Sequence, residues 1–139
     1  MFSKLSPLCV VLVMLLTACS QAPGLQVDNP RVRDLLPNRD TTAGYFTIRN
    51  NTAKTVTLVS ARSPAARAIE MHKTVVTEDR VGMRRIKEVP LPAGEQLEFA
   101  PGGLHLMIFG VSEMSDPFPI TLLFADGQEV DVAFTTFSN

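Results

Sequence analysis

From residue 25 onward, apolar and polar positions alternate in short runs separated by turn-forming residues. Leu25-Gln26-Val27 and Arg31-Val32-Arg33 alternate on either side of Asn29-Pro30, a pair that marks a turn or a sheet edge. The 43–48 run, Ala-Gly-Tyr-Phe-Thr-Ile, is aromatic and β-branched and predicts a strand. Residues 55–61 alternate again, with Val56 and Leu58 on one face, and Ser63-Pro64-Ala65-Ala66 allows a short helical turn. Strands are predicted over 68–76 and 83–89, joined by a hairpin connection at 78–82. Pro90 and Pro92 remove two backbone donors, so this stretch cannot be a central strand.

Further strands are predicted at 96–99 and, past the Pro101-Gly102-Gly103 turn, at 104–109. The last two, 120–124 and 130–134, face each other across Asp126-Gly127. Pairing Phe124 with Val130, Leu122 with Val132 and Ile120 with Phe134 matches apolar residues throughout. That register needs a three-residue loop or a bulge, which Gly127 suits. Short strands at regular spacing, with no long segment of helical period, predict an all-β, antiparallel sandwich or barrel.

The amino terminus does not fit this pattern. Residues 8–16 form an almost unbroken apolar run behind Lys4, too short to cross a bilayer as a helix. The run ends in Leu16-Thr17-Ala18-Cys19, which resembles the lipobox of bacterial lipoproteins. The expected organisation is a lipoprotein signal peptide at 1–18, a lipidated tether at 19–24 beginning with Cys19, and one β domain at 25–139. Several acyl chains would hold the protein firmly to a membrane, whereas one gives only marginal binding. Ser20 is not the aspartate that often retains such proteins in the inner membrane, so the periplasmic face of the outer membrane is favoured. Ordinary secretion with a free Cys19 is the alternative.

Cysteine usage narrows the chemistry. The two cysteines are Cys9 and Cys19; the first leaves with the signal and the second carries lipid. The mature domain therefore has no thiol, no disulfide framework and no thiolate metal site. It also lacks a cysteine nucleophile, a G-x-S-x-G segment and an evident Ser-His-Asp arrangement, which argues against a hydrolase and for a non-enzyme. A formal net charge of −1 argues against a nucleic-acid partner.

Both histidines of the chain, His72 and His105, fall in one stretch, each accompanied by a methionine: Met83 and Met107. Imidazole nitrogen and thioether sulfur are favoured ligands of the soft Cu(I) ion. Two of each make a four-coordinate set without ligand charge, better matched to a monovalent than a divalent ion. Zn²⁺ prefers thiolate, imidazole and carboxylate, Ca²⁺ and Mg²⁺ want oxygen clusters, and a blue-copper centre needs a cysteine. His105 and Met107 are two apart and share a strand face. His72 and Met83 lie on two arms of a hairpin, and whether they share a face depends on the parity of the connection. Gly102-Gly103 before His105 would let ligand-bearing segments approach closely. Taken singly, each of these residues is as well explained by the core or the surface: a hydrogen-bonded histidine, a gap-filling methionine. Met71 should face away from His72, as a core residue or one that backs the ligands; Met114 is read as an exposed loop residue or a weak auxiliary ligand, and Glu70, Glu78 and Asp79 as solvated hairpin charges. Arg84-Arg85, with Arg80 and Lys87, is an exposed strand face or faces an acidic partner.

The spaced pattern His72-x10-Met83-x21-His105-x-Met107 resembles the ligand motif of the periplasmic copper chaperones called the PCu(A)C family. Ala43-Gly44-Tyr45-Phe46-Thr47-Ile48-Arg49-Asn50, Glu70-Met71-His72, Leu91-Pro92-Ala93-Gly94 and Pro101-Gly102-Gly103-Leu104-His105-Leu106-Met107 also resemble family blocks, so the likeness covers essentially the whole mature domain. It implies a cupredoxin-like Greek-key β-barrel that binds Cu(I) through His72, Met83, His105 and Met107. It further implies delivery to the Cu(A) centre of cytochrome c oxidase subunit II, directly or through a thiol-bearing copper chaperone, or a periplasmic copper buffer. Two departures stand out. Lys73 occupies a position where some members place a methionine, and the chain stops at Phe137-Ser138-Asn139 without a His/Met-rich tail, which puts a second, Cu(II) site in doubt. The alternative to a carrier is a metal-independent, structural or adhesive β-sandwich lipoprotein.

Overall fold

The computed structural model describes residues 24–138, so Cys9, Cys19 and the expected signal peptide and tether lie outside the described residues. Among the described residues the secondary structure is all β: β1 Leu25–Arg33, β2 Thr42–Asn50, β3 Val56–Arg62, β4 Ala66–Thr77, β5 Arg80–Ile86, β6 Val89–Leu91, β7 Gln96–Phe99, β8 Leu104–Val111, β9 Phe118–Phe124 and β10 Glu129–Phe137. Neighbours follow the order β5-β4-β8-β7-β2-β1-β10-β9-β3-β6, with β3 also pairing β4 and β2 also pairing β8. The β3–β4 bridge between Ala61 and Ile69 closes eight of the strands into a barrel. β5 and β6 flank the ring as outer strands on β4 and β3. An edge place for β6 is what Pro90 requires, since its missing N–H would break an interior ladder.

The period-2 pattern does what it predicts. Phe118, Ile120, Leu122 and Phe124 of β9 point inward, and Thr121 and Leu123 outward. Val32, Phe46, Ile48, Leu58, Phe99, Leu106, Ile108 and Phe134 complete a barrel interior at or below 2 % exposure. Phe46 stacks on Phe99 with centroids 4.4 Å apart and meets the edge of Phe134 at 5.8 Å. Burial of each such side chain contributes roughly 1.5–3 kcal/mol, so the domain stands on its core, as a chain without disulfides must.

Four expectations need correction. The sheet is not wholly antiparallel: β1 runs parallel to β10 and β7 parallel to β8. The first has a physical basis in closure, because the opening strand must pair with the last to finish the barrel. Asn29-Pro30 does not end a strand; it makes a bulge inside β1, with the register shifting between Asp28 and Arg31 and Asn29 at φ 50°. Residues 63–66 form a turn and no helix. The β9–β10 register is Val130 with Leu122, Val132 with Ile120 and Phe134 with Phe118, two residues from the predicted pairing. The connection has the expected three residues but sits one position earlier, at 125–127: Phe124 N–H donates to the Gln128 carbonyl, the Asp126 carboxylate accepts from the Gln128 N–H, and Gly127 takes φ 88°. A slip of two preserves which face each residue occupies, so the predicted apolar side was right and its partners were not.

Asn50 holds the far end of the barrel. It is wholly buried; its amide donates to the carbonyls of Lys54 at 2.7 Å and Leu91 at 3.0 Å, while its side-chain oxygen accepts from Thr52 N–H and Oγ. Asn50→Ala would strip the buried Leu91 carbonyl and the Thr52 N–H of this partner, although the Lys54 carbonyl keeps the Thr52 hydroxyl. We expect it to destabilise the domain by about 3 kcal/mol, read as a lower urea midpoint with unchanged slope; an unchanged midpoint would contradict this role.

Candidate metal centre

Strand register gathers the predicted residues on the outer face of the barrel. His72 of β4 stands directly opposite His105 of β8, and Glu70 opposite Met107. On the other side of β4, Thr74 stands opposite Met83 and His72 opposite Arg85. Directly opposed residues share a face, as do residues two apart. His72, Met83, His105 and Met107 are therefore on one face. The parity left open by the sequence is resolved by a two-residue turn, Glu78-Asp79, between the Thr77–Arg80 pair. Met71 points the other way into the core, at 3 % exposure.

The two rings lie 5.9 Å apart between centroids, and Phe109 flanks His72 at 6.3 Å. Met83, His105 and Met107 line one cleft of about 350 Å³, with Arg33, Thr42, Ala43, Tyr45, Thr74, Pro101 and Gly102. His72 is not a lining residue; it borders the cleft through His105. Met83 is 63 % exposed on the outer strand β5, so it forms the open side of the cleft.

Each ring is held by one nitrogen. His105 Nδ1 lies 3.2 Å from the Gly103 carbonyl. A carbonyl only accepts, so Nδ1 carries the proton and Nε2 of the neutral ring keeps its lone pair. His72 Nε2 lies 2.9 Å from the Glu70 carboxylate, whose other oxygen is 3.2 Å from Arg85. The His72 hydrogen bond, then the nearby Arg85 guanidinium, hold the Glu70 carboxyl below its usual range against the opposing effect of burial. As an ionised acceptor Glu70 receives the hydrogen bond from Nε2–H, which keeps the proton on Nε2 and leaves the His72 Nδ1 lone pair free. The two remaining nitrogens, His72 Nδ1 and His105 Nε2, are buried and have no hydrogen-bond partner. Buried polar atoms are nearly always paired, and a ring fixed through its other nitrogen is the usual support of a metal-ligating histidine.

Among the described residues no group of three or more His, Cys, Asp or Glu could hold a metal ion. The donors that share a face with the two imidazoles are the thioether sulfurs of Met83 and Met107. The donors that fit are two imidazoles and two thioethers, a soft and uncharged set.

Some partners were missed or misread from the sequence. Glu70 is not a solvated hairpin charge but the orienting partner of His72; its signal was the E-x-H spacing, which puts both on one strand face. Gly103 is needed for its carbonyl, which accepts from both His105 and the Thr74 N–H. Gly102 is required by its positive φ of 81°, not by close approach, since a Cβ there would meet nothing within 4 Å. Met114 is half-buried against the core instead of exposed. Arg33, which no motif flagged, lines the cleft.

Comparison with known proteins follows the geometry. The family model "Putative lipoprotein LpqE-like" matches residues 25–136, and the chain belongs to that LpqE-like family. "Putative lipoprotein Lxx21020" of Leifsonia xyli subsp. xyli is 33% identical over 125 residues, spanning 85% of this chain and 75% of that protein. Among solved structures, the copper-bound PCuAC domain from PmoF2 superposes with a TM-score of 0.71 at 21% identity, covering 86% of this chain and 97% of that one. The solution structure of CuI-DR1885 from Deinococcus radiodurans gives 0.67 at 26% identity, covering 87% and 83%. The fold and the family resemblance read from the residues are thus borne out.

The hydrogen bonds fix opposite tautomers in the two rings. Long-range ¹H–¹⁵N spectra of the metal-free protein at mildly alkaline pH should show His72 protonated at Nε2 and His105 at Nδ1. Glu70→Gln should leave His105 unchanged and mix the tautomers of His72. A wild-type His72 protonated at Nδ1 would be incompatible with this geometry.

Proposed function

We propose that this member of the LpqE-like family is a lipid-anchored, extracytoplasmic Cu(I) carrier that binds the ion through His72 Nδ1, His105 Nε2 and the sulfurs of Met83 and Met107. The observation that carries the reading is the pair of buried, unpartnered imidazole nitrogens, each on a ring fixed through its other side, beside two thioethers. Copper-loaded relatives of the same fold support it. The lipoprotein relative supports anchoring at Cys19, behind a signal peptide of residues 1–18 and a tether of 19–24, with residues 25–139 as the copper-binding domain.

The protein acts by ligand exchange and catalyses no reaction. Neutral donors bind a monovalent cation without strong charge pairing, so a partner's ligands can replace them stepwise. Exposed Met83 is the first to be displaced, and Met107 and the two imidazoles on the barrel wall let go last. The recipient is the Cu(A) site of cytochrome c oxidase subunit II or a thiol-bearing chaperone that serves it, with periplasmic buffering as the alternative use of the same site. The anchor would confine exchange to a membrane surface, the outer membrane by the Ser20 argument.

Competition against a chromophoric Cu(I) chelator should give one copper per protein. His72→Ala and Met107→Leu should each weaken binding by at least 10-fold, the scale seen when metal ligands or their supports are removed. Met83→Leu should weaken it less. Wild-type affinity in His72→Ala or Met107→Leu would remove that residue from the site, and no competition by the wild type would favour a metal-independent structural role.

Imidazole nitrogen binds metal only when unprotonated. Acidification therefore competes with copper, and apparent affinity should fall steadily from neutral to mildly acidic pH. An affinity flat over that interval would exclude imidazole ligation.

A further inference from the structure

Among the described residues, Arg33 is the one Lys or Arg lining the cleft shared by Met83, His105 and Met107. It projects from β1, across the cleft from the outer strand β5 that carries Met83. Its Nε is buried and has no hydrogen-bond partner. Among the described residues its guanidinium takes part in none of the three ion pairs, which are Arg62–Glu129, His72–Glu70 and Arg85–Glu70. Among the described residues lining the cleft with it there is no aspartate or glutamate. The side-chain hydroxyls lining the cleft with it are those of Thr42, Thr74 and Tyr45, and the Thr42 hydroxyl already donates to the Arg33 carbonyl at 2.7 Å. A buried guanidinium N–H left without an acceptor is costly, and a rigid fork of donors is suited to an anion.

We propose that Arg33 forms an anion subsite in the copper cleft, and that it admits and positions the anionic sulfur of an incoming thiolate ligand. This rests on the Cu(I) reading above. The donor set is uncharged, so the loaded cleft holds the unit charge of Cu(I) and the unit charge of Arg33. A neutral incoming ligand gains nothing from the second charge, whereas a thiolate is attracted by both. In the exchange the thiolate donates a sulfur lone pair to Cu(I) as the Met83 thioether withdraws its own. Copper stays Cu(I), no electron moves, and the thiol has already lost its proton to solvent. The guanidinium then pairs with the thiolate or with a carboxylate beside it until the metal leaves. Arg33 is a positioning residue: it does not bind copper, and like-charge repulsion between it and the ion keeps the loaded site poised for release.

Two measurements separate this from a structural role and from failure of the copper reading. In the first, Cu(I)-loaded wild type, Arg33→Gln and Arg33→Lys release copper to dithiothreitol, a thiolate source, and to thiourea, a neutral sulfur ligand. Arg33→Gln should slow transfer to dithiothreitol about tenfold, within the range by which local charge alters association. It should leave transfer to thiourea unchanged and equilibrium Cu(I) affinity equal or slightly raised, and Arg33→Lys should restore most of the dithiothreitol rate. Equal slowing for both acceptors, or none for either, overturns the proposal. In the second, the metal-free protein is titrated with thiocyanate while the Arg33 Nε–H resonance is followed. Saturable movement, still present in His72→Ala, supports the subsite even if copper binding fails. A resonance that does not move overturns it while leaving the carrier function intact.

Discussion

The site depends on one register: the β4–β8 pairing that sets His72 opposite His105. Seven residue pairs fix it, from Ala66–Val111 to Lys73–Leu104. Met71 and Leu106 lie one step away from the histidines, pointing into the core at 3 % and 0 % exposure. A slip of one residue would turn those two outward and the histidines inward. Core burial therefore fixes the position of the ligands, because the same alternation that hides Met71 and Leu106 must display His72 and His105. The ladder then extends the site to β5 through the Thr74–Met83 pair.

Hydrogen bonding adds what register cannot. Two facing histidines in a fold could rotate, pair with each other or take a water. Here Glu70 and the Gly103 carbonyl each hold one ring nitrogen and thereby choose which lone pair remains. The Gly103 carbonyl is itself set by the left-handed turn at Gly102 and by the Thr74 N–H. On the proposed carrier function, recognition of the ion would come from the softness and neutrality of the donors. Release and partner choice would come from the exposed Met83 and the guanidinium across the cleft. The same site thus divides into a rigid half on the barrel wall and an accessible half on the outer strand.

Alternation and turn residues were enough to read an all-β domain, the strand containing each ligand and the inward direction of Met71. Spacing showed His105 and Met107 on one face. What could not be read were features set by distant parts of the chain. The parity of the β4–β5 hairpin depended on whether Glu78-Asp79 alone made the turn. The parallel β1–β10 closure joins the ends of the domain, and no local signal reports it. The bulge at Asn29-Pro30 and the one-residue displacement of the Asp126-Gly127 turn each moved a strand register without changing its buried face. Glu70 and Arg33 looked like ordinary surface charges, since only assembled strands bring one to His72 and the other to the cleft.

The account stands on two nitrogens and two sulfurs meeting at one reduced copper ion. X-ray absorption at the copper edge of the Cu(I)-loaded protein reads that coordination shell directly. Two nitrogen and two sulfur scatterers are expected, with one sulfur lost in Met83→Leu and one in Met107→Leu. A shell of nitrogen and oxygen alone, or a sulfur count indifferent to both substitutions, would contradict it.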